Sequence, residues 1–126
     1  MAGRDLAVLL RSMQPVLHPD PYGFAVAATA LPFQPFATVA EDEGLTVVAP
    51  LAAMQAAGLG SAPWARISLT VVSDLAAVGL TAAFANALAR VGISCNVIAG
   101  VHHDHLFVPW EQRTDAMAAL ETLSHA

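Results

Sequence analysis

Two stretches of the chain share one pattern. Residues 44–59, GLTVVAPLAAMQAAGL, and residues 104–120, DHLFVPWEQRTDAMAAL, each run an apolar strand into a proline and then into a helix with a methionine among small residues. Proline has no N–H to give a strand ladder, and its fixed φ suits the start of a helix, so each stretch ends one element and opens another at a fixed point. A chain that does this twice folds as two similar units.

The remaining elements fit around the repeat. RDLAVLLRSMQP has apolar residues at 6, 9, 10 and 13, a helical spacing, and stops before Pro15. LHPDP is a turn, and YGFAVAAT is a short strand with Tyr22, Phe24 and Val26 alternating. Pro32 and Pro35 mark a loop, after which FATVAEDEG carries a short extended piece into a charged turn. Leu45–Ala49 is a strand, and the helix opened by Pro50 is closed by Gly58 and Gly60. Trp64–Val72, WARISLTVV, is the best strand of the first half. A helix from about Leu75 or Val78 to Val91 follows, broken by Gly92. ISCNVIA is a strand, GVHHD a turn, HLFVPW a strand, and the last helix runs from about Glu111 to Leu123.

The order is α-β-β-α-β-α-β-β-α, two units flanking the strand 64–72, which can end one and begin the next. Each unit approximates a split βαβ arrangement, so the expected class is α+β, with antiparallel sheets covered by helices on one face. The expected division is residues 1–63 and 64–126.

Composition constrains what surrounds these units. Hydrophobic residues are 56% of the 126 and charged residues 12%, about half the usual charged share. So much apolar surface in one small chain predicts self-association, a dimer first, and excludes disorder. The central helix agrees. Leu75, Val78, Ala82, Ala85 and Ala89 form one apolar stripe and Leu80, Phe84, Leu88 and Val91 a second, which predicts packing on two sides. A net charge of −5, with Arg4 and Arg11 the one close basic pair, is no nucleic-acid footprint. No apolar run reaches the roughly 18 residues of a membrane span. The N-terminal MAGRDLAVLLRSM, broken by Asp5 and Arg11, does not resemble a signal peptide. Cys95 is alone, so no intramolecular disulfide forms and the cytoplasm is the expected compartment.

The stretch RISLTVVSDLAAVGLTAAFANALARVGISCNVIAG resembles the ACT domain, a small regulatory module that binds amino acids in many metabolic enzymes. The shared pattern is a strand, a loop, Gly-Leu opening a helix (Gly79-Leu80), then a small residue and Gly-Ile entering the next strand (Gly92-Ile93). The likeness covers residues 64–123, with the first half a divergent partner unit. The whole chain resembles tandem ACT-like proteins, related to the regulatory domains of aspartate kinase and to the cytosolic arginine sensor. Many ACT domains carry Pro before that glycine, where this chain has Val78. The resemblance implies two ferredoxin-like units and a non-catalytic regulatory protein without a cofactor. It also implies a small-molecule ligand, an amino acid or similar carboxylate, held where units or subunits meet. Its site residues would be Ser73, Asp74, Val78, Gly79 and Leu80 in the loop, with Asn96 and Val97 on the adjoining strand.

Physical chemistry supports a site there independently. A loop that enters a helix presents unpaired N–H groups and the positive end of the helix dipole, which suit a carboxylate. Gly79 lacks a Cβ, so a ligand or a backbone can approach closely. The alternative is that Ser73 or Asp74 simply caps the helix and Gly79 permits tight packing. On alternation, Ser94, Asn96 and Ile98 share one strand face and Ile93, Cys95, Val97 and Ala99 the other. Asn96 is then either a ligand contact or an edge residue facing water.

The turn His102-His103-Asp104-His105 is a second candidate. Alternation places His103 and His105 on one face with Phe107, and Asp104 on the other with Leu106. His103, Asp104 and His105 could contribute to a metal site, yet zinc normally takes at least three protein ligands. His18 is remote in sequence and His125 lies near the chain end. A hairpin tip, an effector contact and a metal site all remain open. Catalysis has less support: Cys95 shares its face with Ile93 and Val97, which predicts a buried, inert thiol. No nucleophile elbow, Walker loop or dinucleotide glycine pattern is present. Glu41, Asp42 and Glu43 form a short acidic turn suited to solvent. The alternatives to a ligand sensor are a dimerisation module without ligand and a metal-binding protein using the histidine turn.

Overall fold

The structure, a computed structural model, describes residues 5–28, 30–70 and 78–125. In chain order the elements are α1 (Leu6–Ser12), β1 (Pro15–Leu17), β2 (Tyr22–Ala27), β3 (Ala37–Glu41), β4 (Gly44–Pro50), α2 (Leu51–Ala56) and β5 (Trp64–Leu69). They continue with α3 (Leu80–Arg90), β6 (Asn96–Ala99), β7 (Asp104–Pro109), a turn of 3-10 helix at Trp110–Gln112 and α4 (Arg113–Ser124). The segments expected as strands and helices are present. The strand expected from Ile93 begins only at Asn96, and β1 is an addition, since Pro15–Leu17 falls between an expected helix end and an expected turn.

The repeat seen in the sequence is a repeat of conformation. Pro50 joins β4 to α2 with φ −52° and ψ 133°, and Pro109 joins β7 to the final helical segment with φ −53° and ψ 136°. Both inner helices also stop the same way. In α3 the Gly92 N–H donates to the Ala89 carbonyl and the Ile93 N–H to the Leu88 carbonyl; in α2 Gly58 and Leu59 donate to Gln55 and Met54. These are paired Schellman bonds, which satisfy the last carbonyls of a helix. Gly92 takes φ +74° to make them, and Ile93 follows it into the core at 4% exposure.

In space the chain forms two compact units, one of residues 19–64 and one in which residues up to 18 pack with residues 65 onward. The expected division at 63/64 separates sequence repeats. The compact units differ from it because β1 pairs antiparallel with β5, Val16 opposite Ser68 and Leu17 opposite Ile67.

The smaller unit is an antiparallel sheet in the order β3-β4-β2. Met54 of α2 packs with Ala27, Val47 and Ala49 to form its core. Gly23 is required here: a Cβ would lie 2.9 Å from Ser61 Cβ and 3.0 Å from the Met54 sulfur. Ser61 uses the approach, its hydroxyl accepting from the Phe24 N–H at 2.9 Å.

The larger unit has the sheet order β6-β7-β5-β1, with β6 antiparallel to β7. Its strands alternate, with one face in the core and Phe107 buried on the other. Ala65, Ile67 and Leu69 of β5, with Leu106 and Val108 of β7, are buried against Leu9 and Met13, against Leu80, Phe84 and Leu88 of α3, and against Ala116 and Leu120 of α4. The other face carries Arg66, Ser68, His105 and Phe107. Asp5 caps α1, its carboxylate accepting from the Val8 N–H at 3.3 Å. Of the two apolar stripes on the central helix, only Leu80, Phe84 and Leu88 are buried. Val78, Ala82 and Ala89 are exposed and Ala85 is partly covered, so among the described residues this stripe is not buried; Leu75 lies outside the described residues.

Candidate functional site

The expected loop site is partly visible. Ser73 and Asp74 lie outside the described residues. Gly79 is the N-cap of α3 in the left-handed region, with φ +96°, which costs an L side chain more than it costs glycine. It brings no side chain to accept from the first-turn amides, and that turn holds no acidic residue. Among the described residues no side chain caps the start of α3. Leu6 lies against Gly79, its Cδ2 3.1 Å from where a Cβ would be. Val78 is 84% exposed, while Leu80 is buried in the core and fixes the helix start. Asn96 begins β6 with its side chain exposed, opposite Phe107. Val97 packs against the core instead.

The histidine turn is closed by the Gly100 N–H donating to the His103 carbonyl at 2.9 Å. His102 and Val101 are exposed at its tip. His103 Nδ1 is buried with no hydrogen-bond partner among the described residues. Burial raises the Asp104 carboxyl above its ordinary range, and the charge of His103 opposes that rise. Among the described residues, no three His, Cys, Asp or Glu side chains are placed to hold a metal ion.

The fold takes His105 elsewhere. Its Nδ1 is 2.7 Å from Ser68 Oγ, and the same hydroxyl is 3.2 Å from His18 Nε2. A hydroxyl has one proton, so it donates to one ring and accepts from the other. His18, remote in sequence, is brought in because the β1–β5 register continues past Leu17: its N–H donates to the Arg66 carbonyl at 2.9 Å. Burial and then the Arg66 charge lower the pKa of both rings, His105 to about 4. Both imidazoles are neutral at physiological pH. Arg66 and Ser68 escaped the sequence analysis, although their alternation with Ala65, Ile67 and Leu69 marks one polar face on an apolar strand.

Other reactive groups are quiet. Cys95 is half-buried, and burial pushes its thiol to about 11, so it stays protonated. Glu41, Asp42 and Glu43 are exposed, with the Thr46 hydroxyl donating to the Glu41 carboxylate.

Two ACT domain family models match the sequence, one over residues 2–66 and one over residues 62–122. The chain belongs to the ACT domain family. ACT domains are regulatory modules that generally bind small molecules and often oligomerise. The two matches of this ACT pair overlap at residues 62–66, where β5 begins, so the strand between the repeats enters both. The ferredoxin-like α+β class expected from sequence holds for the tandem.

Among solved structures, a Vibrio cholerae protein of unknown function, described as a possible transport protein, is 48% identical over 94% of this chain and 95% of its own, with a TM-score of 0.85. An Agrobacterium tumefaciens protein is 18% identical, with 89% of each chain covered and a TM-score of 0.74. The ligand-free regulatory subunit of aspartate kinase from Thermus thermophilus is 14% identical over 86% of this chain and 95% of its own, with a TM-score of 0.60. The latter two likenesses are of fold alone. No curated protein matches the chain. No helix among the described residues is long and apolar enough to cross a membrane.

Proposed function

We propose that this ACT pair is a non-catalytic, cytoplasmic regulatory protein that binds an amino acid or a similar carboxylate at the N terminus of α3. The observation that carries the reading is Gly79, a left-handed N-cap without a side chain at the head of an 11-residue helix. The ligand's carboxylate meets the helix start where Gly79 offers no side chain, in the loop of Ser73, Asp74, Val78, Gly79 and Leu80. Asn96 and Val97 form the adjoining wall, with the Asn96 amide able to donate to a carboxylate or accept from an amine. Likeness to the regulatory subunit of an aspartate kinase supports an amino acid as the class.

The exposed stripe of Val78, Ala82 and Ala89 supports a second element of the reading, a homodimer formed across the outer face of α3. Light scattering on the purified protein measures its mass directly, and a monomer at all concentrations removes that element.

Thermal unfolding with each of the twenty amino acids tests the main reading. A ligand at about 100 times its Kd stabilises the fold by roughly 2.7 kcal/mol, a clear rise in Tm. The expected result is a response to one or two amino acids that Asn96→Ala weakens. A Tm unmoved by all of them sinks the reading and leaves a dimerisation module.

A further inference from the structure

In the larger unit α3 and α4 both pack on the core and leave an open groove between them. It consists of two hollows of about 320 and 420 Å³ that share Val91, Ala119 and Thr122. Ala87 of α3 and Ala118 of α4 add to its walls, and such small side chains let another helix come close. Val91, just past the end of α3, is 56% exposed there.

One charge of each sign borders the groove. Arg90, in the last turn of α3, lines one hollow, and Asp115, in the first turn of α4, lines the other. Both are exposed, and among the described residues neither side chain is held by an ion pair or a hydrogen bond.

We propose that this groove is a self-association surface, packing against the same groove of a second copy of the chain with Arg90 of each against Asp115 of the other.

Charge complementarity selects the occupant. Arg90 is the one charged residue of α3. On α4, Asp115 and Glu121 are exposed, while the basic Arg113 is engaged by Trp110. Its guanidinium lies 3.9 Å from the centre of the ring and donates to the Trp110 carbonyl at 2.7 Å. The groove therefore has a positive side on α3 and a negative side on α4. A two-fold axis turns α3 of one copy toward α4 of the other, because such a contact pairs residue i with j and j with i. Both charges are then met at once. A wholly acidic or wholly basic partner satisfies one and opposes the other. Association also removes Val91 from water. The surface goes beyond the dimer contact proposed on the outer face of α3, since Val78, Ala82 and Ala89 line neither hollow.

Light scattering over a concentration series tests it on the full-length protein, as wild type, Arg90→Glu and Asp115→Lys, with thermal melts to show that each variant is folded. Each reversal sets like charges opposite each other twice per contact and is expected to lower the mass about twofold. An equal mixture of the two variants is expected to regain the wild-type mass, because every contact between unlike variants again joins opposite charges. The chain carrying both reversals is expected to associate with itself as wild type does. Damage to the fold by either substitution would not be repaired by mixing. Reversals that leave the mass unchanged overturn the groove and leave the outer-face dimer of α3 standing. A lowered mass that mixing does not restore also overturns it. A wild type that is monomeric at every concentration overturns both surfaces and leaves the amino-acid reading to its own test.

Discussion

Ser68 on β5 holds His105 on β7 through a 2.7 Å contact between its hydroxyl and the ring Nδ1, and at 3.2 Å it reaches His18 as well. One small side chain thus ties β1 and β7 to the strand between them. Ser68→Ala removes the hydroxyl that both rings share and is expected to cost about 1–2 kcal/mol, measured as a lower urea midpoint at unchanged m-value. Stability equal to wild type would show that the bridge contributes nothing.

Acid should weaken the fold through His105. Its ordinary pKa is 6.5 and burial, with Arg66, lowers it to about 4 in the folded protein. The unfolded chain therefore binds this proton between pH 6.5 and 4 while the folded chain does not, so stability is present above that window and is lost as pH falls through it. His18 is shifted in the same direction. For groups as solvent-accessible as these, the loss is on the order of 1–2 kcal/mol after solvent screening. Denaturant unfolding at a series of pH values should show a slope that His105→Gln flattens. A profile rising toward acid would contradict the assignment.

Gly79 should resist substitution. With φ +96° and the Leu6 side chain at 3.1 Å from a Cβ position, Gly79→Ala is expected to destabilise by about 1–2 kcal/mol. Gly60, with nothing within 4 Å of its Cβ position and no left-handed φ, is the control, and its alanine variant should be no less stable than wild type. Thermal melts of the two proteins separate the backbone effect from the loss of a ligand contact.

The buried face of α3 and the exposed residue just before it should respond differently. Phe84 is fully buried, and Phe84→Ala is expected to cost about 3–5 kcal/mol, enough to leave much of the protein unfolded at 37 °C. Val78, 84% exposed, should tolerate alanine within about 0.5 kcal/mol when the protein is dilute. A larger loss at Val78 that grows with protein concentration would point to a dimer contact there.

Much of this fold was legible because its signals are local. Proline before a helix and glycine after one act within a few residues, so Pro50 and Pro109, Gly58 and Gly92 could be placed from sequence and reappear with matching conformations and bonds. Both apolar stripes of the central helix followed from its period, but not which of them is buried. The three residues of β1 were not legible, since a strand that short and opened by proline shows no alternation. Nor was the exposure of Val78, Ala82 and Ala89, which follows from how α3 is turned against the sheet.

The sequence by itself determined the repeat of strand, proline and helix and the glycine at the head of α3, because propensity, capping and periodicity are properties of neighbours along the chain. The ACT architecture came from its resemblance to that family. Only the tertiary structure decided that His18, Arg66, Ser68 and His105 meet. His18 and His105 are separated from Ser68 by 50 and 37 positions, and no local rule relates residues that far apart. Strand register does so, pairing β1 with β5 and turning one face of each strand to the core. Its consequence is that the polar residues, wherever they stand in the sequence, gather on the other face.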